Sequence, residues 1–191
     1  DDAPADLPVG VVPYPPRDPR PLGDVDDLVE ARPARVAEWI AALVEREGPL
    51  HVDEALRALA AAFGTRATAR PREAFERGLA GLVATGRCAR RGAFLWPQDL
   101  ATPRVRWRGG ACPVVEPDLV APEEWDAAVR ATLAAEFGAP RDGLVAATVR
   151  RLGFQRGGPR LKASVEAAVD RLLARGEVAT DPHGDLVLRR P

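Results

Sequence analysis

The chain holds no methionine, one tyrosine, two cysteines and two histidines in 191 residues. Each shortage closes off a class of function. Cys88 and Cys112 stand 24 residues apart with no Cys-x-x-Cys spacing, and His51 and His183 add too few donors for a zinc site built from one chain. The thiols read as small buried side chains and the histidines as surface or capping residues. Ser164 is the lone serine, and neither histidine has a partner at a spacing that suggests a triad. No Walker-type phosphate loop is present. The chain is therefore expected to be non-catalytic, with no cofactor, no metal and no small-molecule ligand.

Long apolar runs are missing too. Nothing approaches the roughly 18 consecutive apolar residues of a membrane helix, and no basic-then-apolar leader opens the chain. The expectation is a soluble, cytoplasmic protein with no membrane partner. A chain without methionine that begins Asp1-Asp2 is read as a piece of something larger. Of 27 basic residues only Lys162 is lysine, which with the alanine richness points to GC-rich coding.

The net charge of −1 hides an uneven distribution. Residues 1–33 carry a net of −5, residues 34–110 a net of +5 and residues 111–191 a net of −1. Ten arginines between positions 63 and 110 face only Glu73, Glu76 and Asp99. Positive charge is thus concentrated on the middle of the chain.

What is present is a pattern written twice. Gly48-Pro49, Asp53, Phe63-Gly64, Arg66-x-x-x-Arg70, Gly86 and Phe94-Leu95-Trp96 return in order. Their counterparts are Gly138-Ala139-Pro140, Asp142, Leu152-Gly153, Arg156-x-x-x-Arg160, Gly176 and Leu186-Val187-Leu188. The offset is 89 residues from Asp53 to Asp142, 90 from Arg66 to Arg156 and 92 from Phe94 to Leu186. A duplicated unit implies two small domains of one kind.

Each copy reads as three helices and a hairpin. Val36, Trp39, Ile40, Leu43 and Val44 form a helical stripe that stops at Gly48-Pro49. Asp53 is expected to cap a second helix carrying Ala55, Leu56 and Leu59. A third helix starts near Arg70-Pro71 and places Phe75, Leu79, Leu82 and Val83 on one face. Arg87 to Trp96 then forms a hairpin turning at Arg91-Gly92. In the second copy Pro122-Glu123-Glu124 opens a helix with Trp125, Val129, Leu133 and Phe137 on its apolar stripe. Asp142 starts the next, and Val165, Val169, Leu172 and Leu173 mark the third. A hairpin turns at Pro182-His183-Gly184.

This order predicts a mainly α (α+β) fold of tandem winged helix-turn-helix domains, each of three helices plus a β-hairpin wing. The boundaries are a Pro-rich acidic tether at 1–33, winged helix 1 at 34–100, a linker at 101–121 and winged helix 2 at 122–191. Eight of the 19 prolines lie in the tether, which reads as extended. The linker holds one alternation, Arg104-Val105-Arg106-Trp107-Arg108, expected to be an extra strand beside the first wing. Val105 and Trp107 are expected to face protein and the three arginines to face out. The stripe either tracks a phosphate backbone or guards an edge strand; the guard is preferred because edges need one in any case. Trp39, Trp96, Trp107 and Trp125 are expected to fill cores and the contact between repeats rather than stack bases.

The stretch Glu47-Gly48-Pro49-Leu50-His51-Val52-Asp53-Glu54, with Phe63-Gly64 and Gly92-Ala93-Phe94-Leu95-Trp96, resembles a bacterial domain of unknown function. That domain lies at the C-terminus of very large proteins combining a superfamily-one helicase with a Vsr-like restriction endonuclease. The resemblance covers chiefly residues 36–97. It implies a non-catalytic accessory module of a DNA-processing, anti-phage machine, with the helicase/nuclease portion as partner. It carries no catalytic residues over.

In a winged helix on DNA the third helix enters the major groove while the wing and turn touch phosphates. Those elements supply Arg66, Arg70, Arg72, Arg77, Arg87, Arg90 and Arg91, whose forked guanidiniums hold a phosphate or a guanine edge with two hydrogen bonds. The competing reading is surface pairing, with Glu73–Arg77 and Arg72–Glu76 at helical spacing. The second copy offers Arg156, Arg160 and Lys162, diluted by Glu166, Asp170, Asp181 and Asp185. The favoured expectation is binding of duplex or branched DNA, mainly through the first repeat. The alternative is a protein–protein docking or dimerisation module without DNA contact.

Overall fold

The computed structural model describes residues 6–17, 27–110, 112–155 and 157–189. In chain order the elements are β1 (Val11–Pro13), α1 (Pro33–Glu47), β2 (Leu50–His51), α2 (Val52–Ala62) and α3 (Ala69–Ala84). Then come β3 (Cys88–Arg91), β4 (Phe94–Pro97), β5 (Val105–Trp107), α4 (Pro122–Glu136), α5 (Arg141–Arg151), α6 (Pro159–Ala174), β6 (Val178–Thr180) and β7 (Leu186–Leu188). The fold is mixed α/β, with six α-helices and three small sheets among the described residues. No helix among them is long and apolar enough to cross a membrane. The chain divides into two compact units, a first of residues 15–101 and a second of residues 1–14 with 102–191.

In the first unit, Pro33 opens α1, where its fixed φ suits the first turn and its missing N–H costs nothing. Val36, Trp39, Ile40, Leu43 and Val44 are all buried along the expected stripe. Helix α3 crosses α1 closely because position 78 is glycine: a Cβ there would meet Val36 Cγ1 at 2.7 Å. The cap of α2 differs from expectation. His51 occupies the N-cap position and its Nδ1 accepts from the Asp53 N–H at 3.2 Å, while Asp53 sits in the first turn. An acid there still suits the positive end of the helix. Strand β4 lies between β2 and β3, antiparallel to both, with Leu50 opposite Leu95 and Arg91 opposite Phe94.

The second unit repeats the order. Helices α1 and α4 each have 15 residues; α2 and α5 each have 11; α3 and α6 each have 16. Its core gathers Trp125, Val129, Leu133, Leu144, Val149, Val165, Val169 and Leu172. The hairpin β6–β7 pairs Val178 with Leu188, and the counterpart of β2 shrinks to one bridge, Ala139 to Leu186. Gly64 and Gly153 turn the chain between second and third helices at φ 64 and φ 83, a left-handed region that glycine enters without strain.

Three further expectations need correction. Strand β5 does not lie beside the first hairpin; it pairs in parallel with β1, Val11 opposite Val105 and Pro13 opposite Trp107. The segment read as a tether is therefore structured where it is described: β1 belongs to the second unit, and Leu28 and Ala31 are buried in the core of the first. Residues 18–26, also assigned to the tether, lie outside the described residues. Finally, Phe137 does not complete the apolar stripe of α4. It terminates the helix with φ 59 and is 92% exposed.

Candidate nucleic-acid interface

The first unit exposes all seven of its candidate arginines. Arg66 stands in the turn between α2 and α3, Arg70, Arg72 and Arg77 on α3, Arg87 just before β3, and Arg90 and Arg91 at the end of β3 before the Gly92 turn. Their surroundings sort them. Arg72 reaches Asp53 at 3.1 Å, Arg70 approaches Glu30 at 3.8 Å, and Arg90 approaches Glu76 at 4.0 Å. Arg87 grips both carboxylate oxygens of Glu38, and that hydrogen bonding holds the Glu38 carboxyl below its usual range. Arg91 lies over the buried Trp96 ring, 4.2 Å from its centroid, a cation–π contact that braces the hairpin.

Arg66 and Arg77 form no ion pair among the described residues. Of the two pairs expected from helical spacing, Glu73–Arg77 does not form among the described residues, and Arg72–Glu76 is replaced by tertiary pairs: Arg72 turns to Asp53, and Glu76 to Arg90. The exposed pairs are long or solvent-accessible and contribute little, so their arginines exchange partners readily.

The second unit is more fully compensated. Arg160 bonds Glu116 at 2.9 Å and also Asp118, which raises its pKa. Lys162 lies 3.6 Å from Asp142 and 3.7 Å from Glu166. Arg156 is outside the described residues.

Sequence periodicity missed a cluster of buried charges. Of the three arginines expected to face out, only Arg104 does; Arg106 and Arg108 are 6% and 2% exposed. Both point to Glu124, itself fully buried rather than a solvated helix-start acid. Arg108 donates to the two carboxylate oxygens at 2.8 Å each, and the Arg106 N–H donates to Oε1 at 3.0 Å. The Tyr14 ring lies 5.1 Å from the Arg106 guanidinium and 5.7 Å from that of Arg108. Burial raises the Glu124 carboxyl, but Arg108 and Arg106 outweigh it and bring it from 4.5 to about 2. No local pattern announces such a cluster, because its acid lies 16 and 18 residues from its bases. Its burial assigns it to holding β5 on α4 rather than to surface recognition.

Residues 26–73 match the model of a family described as a protein of unknown function (DUF3320). The chain is similar to that family over α1, β2, α2, the turn that carries Arg66 and the first residues of α3, Arg70 and Arg72 among them. No curated protein and no solved structure matches the chain.

Proposed function

We propose that this chain is a non-catalytic DNA-binding module, two winged helices in tandem, which serves a larger cytoplasmic helicase–nuclease and grips duplex or branched DNA mainly through its first unit. The observation that carries this reading is the state of Arg66 and Arg77. Both are exposed, at the turn and on the third helix, with no ion pair among the described residues. These are the positions from which a helix-turn-helix element addresses phosphate and base edges. Arg70, Arg72 and Arg90 flank them in weak exposed pairs that phosphate oxygens can outcompete. The second unit, whose Arg160 and Lys162 already face carboxylates, is the poorer DNA surface. The helicase–nuclease context, and a role against foreign DNA, rest on the resemblance of the Glu47–Glu54 and Gly92–Trp96 stretches.

Anisotropy titration of a labelled short duplex, repeated at several salt concentrations, tests the reading. Affinity is expected to fall with salt by about 0.9 log units per log unit of salt for each phosphate neutralised. Arg66→Glu with Arg77→Glu is expected to abolish binding. Absence of binding by the unaltered chain at low salt refutes the proposal.

A further inference from the structure

The end of α4 presents an arrangement that nothing in the DNA reading uses. Phe137 is 92% exposed and holds a left-handed backbone, φ 59, which strains any residue with a side chain. Val9 is 89% exposed. Their immediate chain neighbours, Glu136 and Pro8, line one hollow of about 200 Å³ together with Thr132, Ala147, Arg150 and Arg151. The Arg151 guanidinium donates to the Val9 carbonyl at 2.7 Å and holds that residue at the rim. Knob and hollow are thus side by side on the second unit. Glu136 and Arg150 both stand exposed at the hollow, and neither forms an ion pair among the described residues.

We infer that a second copy of this chain docks here about a two-fold axis. A two-fold contact uses the same patch on both copies, so the patch must carry projection and hollow together, and both signs of charge together. This patch does. The Phe137 ring of each copy enters the hollow of the other, and Glu136 of each pairs with Arg150 of the other. An exposed aromatic beside an arginine also has the composition of an interface centre rather than of ordinary solvated surface.

The inference stands apart from DNA binding and is tested without it, by sedimentation velocity and light scattering on the whole chain over a concentration series. A concentration-dependent monomer–dimer equilibrium is expected. Phe137→Gly is expected to weaken it about 30-fold or more, the effect of losing a central aromatic anchor. Because glycine suits the left-handed backbone, that variant should melt at or above the parent temperature, which separates lost docking from lost folding. Glu136→Arg and Arg150→Glu should each weaken the dimer, and the double reversal should restore it. A strictly monomeric chain, or a dimer indifferent to Phe137→Gly and to both reversals, overturns the inference and leaves this face to some other partner.

Discussion

Arg108 and Glu124 form a buried two-pronged pair, both oxygens of the acid accepting at 2.8 Å from one guanidinium that is shielded from solvent. Arg106, two residues back in β5, joins it, so one carboxylate is shared by two guanidiniums. Replacing only the acid removes this shared carboxylate while both guanidiniums stay buried. Glu124→Gln is expected to destabilise the second unit by about 3–5 kcal/mol. Denaturant unfolding followed by hydrogen exchange checks this: protection of α4, α5 and α6 should fall, while that of α1 and α3 stays.

The same pair sets an acid limit. The Glu124 carboxyl is lowered from 4.5 to about 2 in the folded protein. A lowered folded pKa contributes stability that is complete above the unfolded value and lost as pH falls through the folded one. Its contribution should therefore be flat above about pH 4.5 and decline between there and pH 2. Thermal melts of the parent and of Glu124→Gln across that range should converge toward pH 2. Curves that stay parallel contradict the assignment.

Gly78 permits the close crossing of α1 and α3, since a Cβ there would lie 2.7 Å from Val36 Cγ1 and 3.0 Å from the Ala37 nitrogen. In an open helix Gly→Ala stabilises by about 1 kcal/mol. Here overpacking against β-branched Val36 and backbone should outweigh that gain, and Gly78→Ala should destabilise by about 1–3 kcal/mol. Gly81, one turn along, meets nothing within 4 Å, so Gly81→Ala should follow the helix trend and stabilise. Urea midpoints of the two variants should move in opposite directions.

Charge reversal should separate the two units in DNA titrations. Arg160→Glu and Lys162→Glu remove cations already facing Glu116, Asp118, Asp142 and Glu166, and should change duplex affinity less than Arg66→Glu alone. Equal losses from both sets would place the contact on both units.

The sequence and the structure agree most closely where the signal is local. The stripe from Val36 to Val44 is buried as spaced, and matched helix lengths follow the duplicated punctuation. The cap of α2 lies two residues before Asp53 because a histidine ring supplies the acceptor that short polar side chains usually supply. Among the candidate arginines, helical spacing named the wrong partners: Arg72 and Glu76 turn to Asp53 and Arg90, brought near by folding rather than by sequence.

By itself the sequence determined the succession of elements, through apolar spacing of three to four residues and the glycines and prolines that interrupt it. Only the tertiary structure decided which charges are buried and which are available. Arg106 and Arg108 turn inward because Glu124, remote in sequence, provides a compensating charge, and β1 supplies the strand that β5 needs. Phe137 stays outside because its helix ends one residue before it. Burial of a charge depends on a partner, and a partner distant in sequence leaves no local pattern.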